Sequence, residues 1–156
     1  MINIYTGPIG SGKTTQLERW MLERKDVCGI LMPVIKGVRH IYSISSGKYF
    51  RVEAGADDPE EEVIRIRKFR FSKKVFKLAN FEIEESLKSD CKIIVVDEIG
   101  PLELNGSGFY SSFRKIVDSG NRDILAVVRE GLVEDVVSFF NIKSFEIITD
   151  LNELNS

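Results

Sequence analysis

The sequence has few of the side chains that bind zinc or act as histidine catalysts. It contains two cysteines, Cys28 and Cys91, and a single histidine, His40. A zinc site needs several Cys or His ligands at short spacings, so such a site is excluded, and a histidine-based catalytic triad is nearly so. We interpret the two cysteines, which lie near predicted strand starts, as small buried or edge residues.

The sequence also lacks an excess of charge of either sign and any long apolar run. Its 22 basic and 24 acidic side chains give a formal charge of −2, which provides no general attraction to nucleic acid or to anionic membranes. The apolar stretches have the length of strands rather than the ~20 residues that span a bilayer, and no basic and apolar leader is visible. We therefore expect a cytoplasmic protein with no membrane partner.

The apolar content is that of an ordinary globular domain. Of the 156 residues 43% are hydrophobic, and a chain of this length buries roughly 68–70% of its unfolded surface, so it needs no disulfide or structural metal to fold. No repeat, low-complexity tract or linker divides the chain. The prediction is one domain over residues 1–156, with a monomer favoured and the oligomeric state open.

Strand-like and helix-like segments alternate along most of the chain. Helical stripes of apolar residues follow position 13 and recur near 76–87, 109–117 and 132–140, as is typical of helices that pack on a sheet. Short apolar runs that hardly alternate favour parallel strands covered on both faces, and they lie at 2–6, 92–97, 123–129 and 144–149. The pattern predicts an α/β fold of three layers, with helices on both faces of a mainly parallel sheet.

Residues 29–70 depart from this pattern and predict an antiparallel β excursion. Helical periodicity is lost there, and two alternating stretches flank Ser46 and Gly47, which indicates a hairpin.

The basic segment 65–77 is interpreted first as a half-buried strand with a solvated basic face. In a second interpretation, one or two of its arginines face a phosphate. Binding of nucleic acid is the least favoured interpretation.

Residues 7–14 read GPIGSGKT, which matches the phosphate-binding pattern G-x-x-x-x-G-K-[ST] between a predicted strand and a predicted helix. Glycine permits the backbone conformations that turn N–H groups toward phosphate oxygens, lysine adds a cation, and the helix N-terminus favours an anion. The predicted nucleotide-binding residues of this segment are Gly7, Pro8, Ile9, Gly10, Ser11, Gly12, Lys13, Thr14 and Thr15.

An acidic pair at the end of the run KIIVVDE completes this constellation. Asp97 is predicted to emerge at the same sheet edge as the phosphates and to hold Mg²⁺ through water, while the Thr14 hydroxyl ligates the ion directly. The neighbouring Glu98 can orient a water in line with the γ-phosphorus and accept its proton. We therefore predict Glu98 and Lys13 as catalytic residues and Mg²⁺ as the cofactor.

Residues 97–100 also fit the D-x-x-G pattern in which a glycine N–H contacts the γ-phosphate, so Gly100 joins the predicted nucleotide-binding residues with Asp97 and Glu98. A guanine-reading N-K-x-D motif is missing, because NIKS at 141–144 has the wrong order. The sequence therefore argues against a GTP-specific switch.

GPIGSGKTT, VVDEIGPLEL and LAVVRE together make the chain resemble the THEP-type, or cancer-related, nucleoside-triphosphatases. The resemblance covers the whole chain, weakly between 29 and 90, and one element is lost: relatives read G-[FY]-x-T-x-E-V-R where this chain has GILMPVIKGVRH. It implies a RecA-like P-loop fold in which 123–128 lies between 2–6 and 92–97. It also implies slow, Mg²⁺-dependent hydrolysis of several nucleoside triphosphates, ATP and GTP among them. Arg129 is then a third catalytic residue, which contacts the phosphates or the water.

Two other functions stay open at the level of sequence. A small-molecule or nucleotide kinase uses the same cradle, although no arginine-rich lid or acceptor-binding insertion is evident. A nucleotide-dependent switch would use hydrolysis only to reset itself. The preferred base, and an arginine supplied by a second copy, are not readable from the sequence.

Overall fold

A computed structural model describes residues 1–155. Its main sheet has the strand order β10-β1-β9-β8-β2-β4-β3, with β5 paired to β4, while β6 and β7 form a separate hairpin. In chain order the strands are β1 (Ile2–Tyr5), β2 (Val27–Leu31), β3 (Val34–Ile35), β4 (Val38–Ser43), β5 (Tyr49–Arg51), β6 (Val63–Ile66), β7 (Phe69–Ser72), β8 (Ile93–Ile99), β9 (Asp123–Val128) and β10 (Phe145–Ile148).

Helices cover both faces of the main sheet, as predicted. They are α1 (Lys13–Met21), α2 (Lys73–Ser86), α3 (Pro101–Leu104), α4 (Tyr110–Ser119) and α5 (Val133–Phe139), with 3-10 turns at Glu60–Glu62 and Leu151–Asn155. One face buries Phe76, Phe113 and Val136 of α2, α4 and α5, and the other buries Leu17 of α1 with Leu151. No helix within residues 1–155 has the length and apolar character needed to cross a membrane.

The predicted order of the three central strands is confirmed. Strand β9 pairs in parallel with both β1 and β8, so residues 123–128 separate the strand before the glycine-rich loop from the strand that ends in the acidic pair. All residues of β9 after Asp123 are buried, as the non-alternating sequence predicts. The run 144–149 differs: β10 is an edge strand, so Glu146 and Ile147 are exposed.

The predicted antiparallel excursion follows the first helix and precedes α2. Strand β2 runs parallel to β8 on one side and pairs antiparallel with β4 at Ile30 and Leu31 on the other. Strand β4 also pairs antiparallel with β3 and with β5, and β4 and β5 form the predicted hairpin. The single strand predicted at the start of the basic segment is wrong. Residues 63–72 form the hairpin β6–β7, and the chain reverses at Arg67, whose φ is +54°. The turn lies where the alternation of apolar and basic residues in IRIRKFRF is interrupted.

The two cysteines are bonded to each other, which the sequence interpretation did not include. Cys28 lies in β2 and Cys91 just before β8, with their Cα atoms 6.0 Å apart. The parallel pairing of β2 with β8 creates this proximity between residues that are 63 positions apart in sequence. The expected cytoplasmic location stays a prediction.

Gly29 lets β2 approach β8 closely. Its φ is +108°, and a Cβ atom added there would lie 2.0 Å from the carbonyl oxygen of Val95. Both the backbone conformation and the space at this position therefore require glycine. Because β2 is the neighbour of the strand that carries Asp97, a clash here would displace the candidate site as well.

Gly29→Ala is expected to destabilise the fold by about 3 kcal/mol or more, since a left-handed backbone strain and a steric clash add together. Gly37→Ala is the matched control, because Gly37 also has a positive φ, +78°, but has open space around an added Cβ. Its cost should be only about 1–2 kcal/mol. Urea unfolding at equilibrium measures both values; equal costs for the two variants would contradict the close approach of β2 to β8.

Candidate active site

The glycine-rich loop joins β1 to α1 at one end of the sheet. Gly10 and Gly12 have φ angles of +76° and +78°, and helix α1 begins directly after Gly12 at Lys13. A Cβ atom added at either glycine would meet nothing within 4 Å, so it is the backbone conformation that favours glycine there. No side chain caps the helix start, which leaves its first N–H groups available to an anion.

Lys13 turns back over the loop that precedes it. Its Nζ donates hydrogen bonds of 3.1 Å to the carbonyl oxygens of Gly7 and Pro8. The ammonium group thus lies over the loop, close to the helix start, and the two form a compact positive region. This arrangement suits the binding of phosphate.

Asp97 connects the loop helix to the sheet. Its Oδ2 accepts a hydrogen bond of 2.9 Å from the hydroxyl of Thr14 and one of 3.2 Å from the backbone N–H of Met32. The side chain is 2% exposed. Burial raises the pKa of Asp97 to about 6, although the two donated hydrogen bonds and the nearby Lys13 ammonium act in the opposite direction.

The donors at this point suit a hard divalent cation. The two groups predicted to hold Mg²⁺ are the Thr14 hydroxyl and the Asp97 carboxylate. They are hydrogen-bonded to each other. Mg²⁺ commonly takes one or two protein ligands and fills its shell with water and phosphate oxygens. These two oxygens therefore fit Mg²⁺ that is held together with a phosphate. Within residues 1–155 no cluster of three or more His, Cys, Asp or Glu is placed to hold a metal ion.

A cavity of about 450 Å³ opens between the loop and the ends of the central strands. Six of the residues predicted in the glycine-rich segment line it, whereas Gly7, Pro8 and Ser11 do not. Glu98 and Arg129 line it as well, next to the buried Asp97. The predicted residues on its wall are Ile9, Gly10, Gly12, Lys13, Thr14, Thr15, Asp97, Glu98 and Arg129.

Seven further residues of this cavity were not assigned a role from the sequence, Arg39 and Met32 among them. Arg39 of β4 and Met32, which follows β2, also line its wall. The excursion after α1 therefore supplies part of the site. The relatives' pattern G-[FY]-x-T-x-E-V-R ends in an arginine, which GILMPVIKGVRH keeps as Arg39, and this is the signal that points to Arg39. No local pattern distinguishes Met32.

The backbone N–H of Gly100, which the D-x-x-G pattern predicts to contact the γ-phosphate, is hydrogen-bonded within the protein, and the phosphate contact stays a prediction. This N–H donates a hydrogen bond of 2.8 Å to Oε1 of Glu103, and Gly100 lies outside the cavity of the glycine-rich loop. Oε2 of the same carboxylate accepts 2.9 Å from the N–H of Phe109. Glu103, 3% exposed, therefore fixes the segment after Glu98 to the start of α4.

The basic segment 65–77 is distributed among several environments. Arg65 and Arg70 both pair with Glu60, so these two arginines are occupied by a structural contact. Arg67 lines a second, apolar cavity near Glu98. The remaining exposed lysines of the segment line neither this cavity nor the one at the loop.

Comparison with known proteins agrees with the fold. A family model described as NTPase matches residues 3–154. Two solved structures are similar at 21% identity each: THEP1 from the hyperthermophile Aquifex aeolicus, with a TM-score of 0.77 over 99% of this chain and 93% of that one, and a human cancer-related nucleoside triphosphatase, with a TM-score of 0.69 over 95% and 87%. No curated protein matches. The resemblance stated from the motifs is thereby confirmed.

Glu103 predicts a pH dependence of stability. Burial raises its pKa to about 7, against 4.5 for an ordinary glutamate, so between these pH values the folded state holds a proton that the unfolded state has released. The free energy of unfolding should therefore fall as the pH rises from about 4.5 to 7, by up to about 3 kcal/mol from this group. Asp97 contributes a fall of the same sign at lower pH.

Glu103→Gln cannot titrate, so the fall in stability between pH 5 and pH 8 should be clearly smaller in this variant than in the wild type. Urea unfolding at several pH values measures the difference. Glu134→Gln, an exposed carboxylate of α5, is the control and should keep the wild-type slope. An unchanged slope in Glu103→Gln would show that Glu103 is ionised throughout.

Proposed function

The chain belongs to the NTPase family, and we propose that it hydrolyses nucleoside triphosphates by a magnesium-dependent attack of water that Glu98 orients. The contact between Thr14 and Asp97 beside the loop carries this proposal. It joins a hydroxyl and a carboxylate at the position where a cation shared with the phosphates has to be held. The named human relative, a nucleoside triphosphatase, supports the same reaction class.

The loop and Lys13 account for substrate binding in this proposal. The β- and γ-phosphates lie against the free N–H groups at the start of α1, and Lys13 exchanges its hydrogen bonds to the loop carbonyls for bonds to phosphate oxygens. Thr14 directly and Asp97 through water would hold Mg²⁺, which would neutralise negative charge between the phosphates. The ionised form of Asp97 is favoured when a cation is present, in spite of its burial.

Glu98 and Arg129 account for the chemical step. Both line the cavity that the loop forms, and Glu98 is only partly buried, so water can reach its carboxylate. Glu98 orients this water and accepts its proton as the bond to the γ-phosphorus forms. Arg129 stabilises the negative charge of the transferring group.

Broad base specificity is part of the proposal. A guanine-reading motif is missing from the sequence, and the contacts argued above all concern phosphate and metal. We therefore expect ATP, GTP, CTP and UTP to be hydrolysed at comparable rates. A nucleotide-kinase assignment is less well supported, because that class usually pairs the loop strand directly with the acidic strand, whereas β9 separates β1 from β8 here.

Lys13→Ala should weaken the binding of a non-hydrolysable ATP analogue by roughly 10- to 150-fold, since charge-assisted hydrogen bonds worth about 1.5–3 kcal/mol are lost. Turnover should be lost with it. Lys25→Ala, an exposed lysine just beyond α1, is the matched control and should bind as the wild type does. Calorimetric titration measures all three proteins, and full affinity in Lys13→Ala would overturn the assignment of the loop.

Glu98→Gln should keep its affinity for nucleotide while kcat falls by about 10²–10⁴-fold, because only the orientation and deprotonation of water are lost. Phosphate release from the four triphosphates with Mg²⁺, with no acceptor added, measures kcat. Glu130→Gln, an exposed carboxylate after β9, should release phosphate at the wild-type rate. A wild-type rate in Glu98→Gln would contradict the role of Glu98.

A further inference from the structure

A second cavity of about 90 Å³ lies beside the acidic pair, between the β6–β7 hairpin and α3. Its wall is largely apolar and aromatic. Phe69 and Phe71 stack with their ring centroids 5.6 Å apart, and Phe76 meets Phe71 edge to face at 5.9 Å. Together with Leu102, these rings form an apolar wall. A cavity of about 150 Å³ holds a benzene ring, so a ring bound here extends partly beyond this space, toward the adjoining cavity of the glycine-rich loop.

Three arginines surround this apolar surface. Arg39, Arg67 and Arg129 all line the cavity, and within residues 1–155 none of them has a carboxylate at ion-pair distance, in contrast to Arg65 and Arg70. The guanidinium of Arg39 lies 5.5 Å from the centre of the Phe69 ring. Unpaired guanidinium groups beside an aromatic wall suit a ligand that is flat, apolar and anionic.

The two carboxylates on the wall differ in their availability. Glu103 is occupied, since both of its oxygens accept backbone N–H groups. Glu98 has no such partner on its side chain in the described part of the chain and is the group proposed to accept a proton from water. A hydroxyl group on a ligand in this cavity can therefore reach a free carboxylate.

The cavity adjoins the phosphate site. Met32, Arg39, Glu98 and Arg129 line both this cavity and that of the glycine-rich loop. A molecule seated on the phenylalanine wall therefore lies beside Glu98, near the proposed γ-phosphate position. Hydrolysis alone requires space for a water molecule, not an aromatic wall with three cations around it.

We propose that this cavity binds a second substrate, a small molecule with one flat apolar ring, an anionic group and a hydroxyl group. The anionic group pairs with Arg67 and Arg39, and the hydroxyl lies against Glu98. Its oxygen forms a bond to the γ-phosphorus while the bond from that phosphorus to the β–γ bridging oxygen breaks. Glu98 takes the hydroxyl proton, and the products are a phosphate monoester and a nucleoside diphosphate.

This inference rests on the proposed function, because it uses the same phosphate site and the same base. The strand order argues against the nucleotide-kinase class but not against transfer to a small acceptor that is not a nucleotide, because the site and not the fold selects the nucleophile. In the absence of an acceptor, water takes its place and the protein hydrolyses the triphosphate.

Binding is tested with 4-(hydroxymethyl)benzoate, which has a ring, a carboxylate and a hydroxyl, on the full chain labelled with ¹³C-methyl methionine. The chain has three methionines, of which only Met32 lines the cavity, so Met1 and Met21 are internal references. We expect a saturable shift of the Met32 signal alone. 4-Methylbenzoate should give the same shift, and benzyl alcohol, which has no anionic group, should bind at least about tenfold more weakly.

Arg67→Gln should weaken the binding of both benzoates by at least about threefold, since an exposed charge pair is lost. Arg51→Gln is the matched control, because Arg51 is exposed on β5 and lines neither cavity. No shift of Met32 with either benzoate, or equal affinity in the two variants, would overturn the proposed site.

Transfer is followed by ³¹P NMR with ATP and Mg²⁺ at a saturating concentration of 4-(hydroxymethyl)benzoate. The proposal predicts a phosphate monoester that forms at the expense of inorganic phosphate, and no monoester with 4-methylbenzoate. A saturated Met32 shift with inorganic phosphate as the sole product would overturn the role as acceptor site. Phosphate release without acceptor is recorded for each protein, so a failure of hydrolysis itself is recognised separately.

Discussion

The hydrogen bond between the Thr14 hydroxyl and the Asp97 carboxylate is the contact on which the candidate site depends. It joins the first turn of α1 to the end of β8, two elements that are far apart in sequence. The strand that precedes α1, β1, does not pair with β8, so this side-chain contact links the loop to the acidic strand. Asp97 is almost fully buried, and its second donor is the N–H of Met32 after β2. One carboxylate thus orients three segments around the cavity.

Strand β9 determines which side chains meet around that contact. Because it lies between β1 and β8, its C-terminal end brings Arg129 to the same sheet edge as Lys13 and Glu98. Strand β2 lies on the other side of β8, and its close approach at Gly29 places Met32 within hydrogen-bond distance of Asp97. The antiparallel excursion then adds Arg39. The site is therefore a property of the sheet order as much as of the glycine-rich loop.

Local sequence patterns predicted those parts of the structure that depend on the properties of neighbouring residues alone. The glycine-rich loop needs particular backbone conformations, and the buried strands need continuous apolar runs, so both are visible in sequence. The hairpin β6–β7, the bond between Cys28 and Cys91 and the occupied N–H of Gly100 were not predicted, because each depends on a contact that only the folded chain creates. Gly100 is the clearest case. The D-x-x-G pattern is present in the sequence, but only the folded chain places the Glu103 carboxylate where it accepts the N–H of Gly100.

The account is tested most directly by a double-mutant cycle on Thr14 and Asp97, with the Mg²⁺-dependent binding of a non-hydrolysable ATP analogue as the measured quantity. Thr14→Ala, Asp97→Asn and the double variant are titrated with the analogue in the presence and in the absence of Mg²⁺. If the two residues hold the cation as a unit, each single variant loses most of the gain in affinity from Mg²⁺, and the double variant loses little more, with a coupling energy of about 1 kcal/mol or more. Independent, additive losses, or an undiminished gain from Mg²⁺ in the double variant, would contradict the central claim.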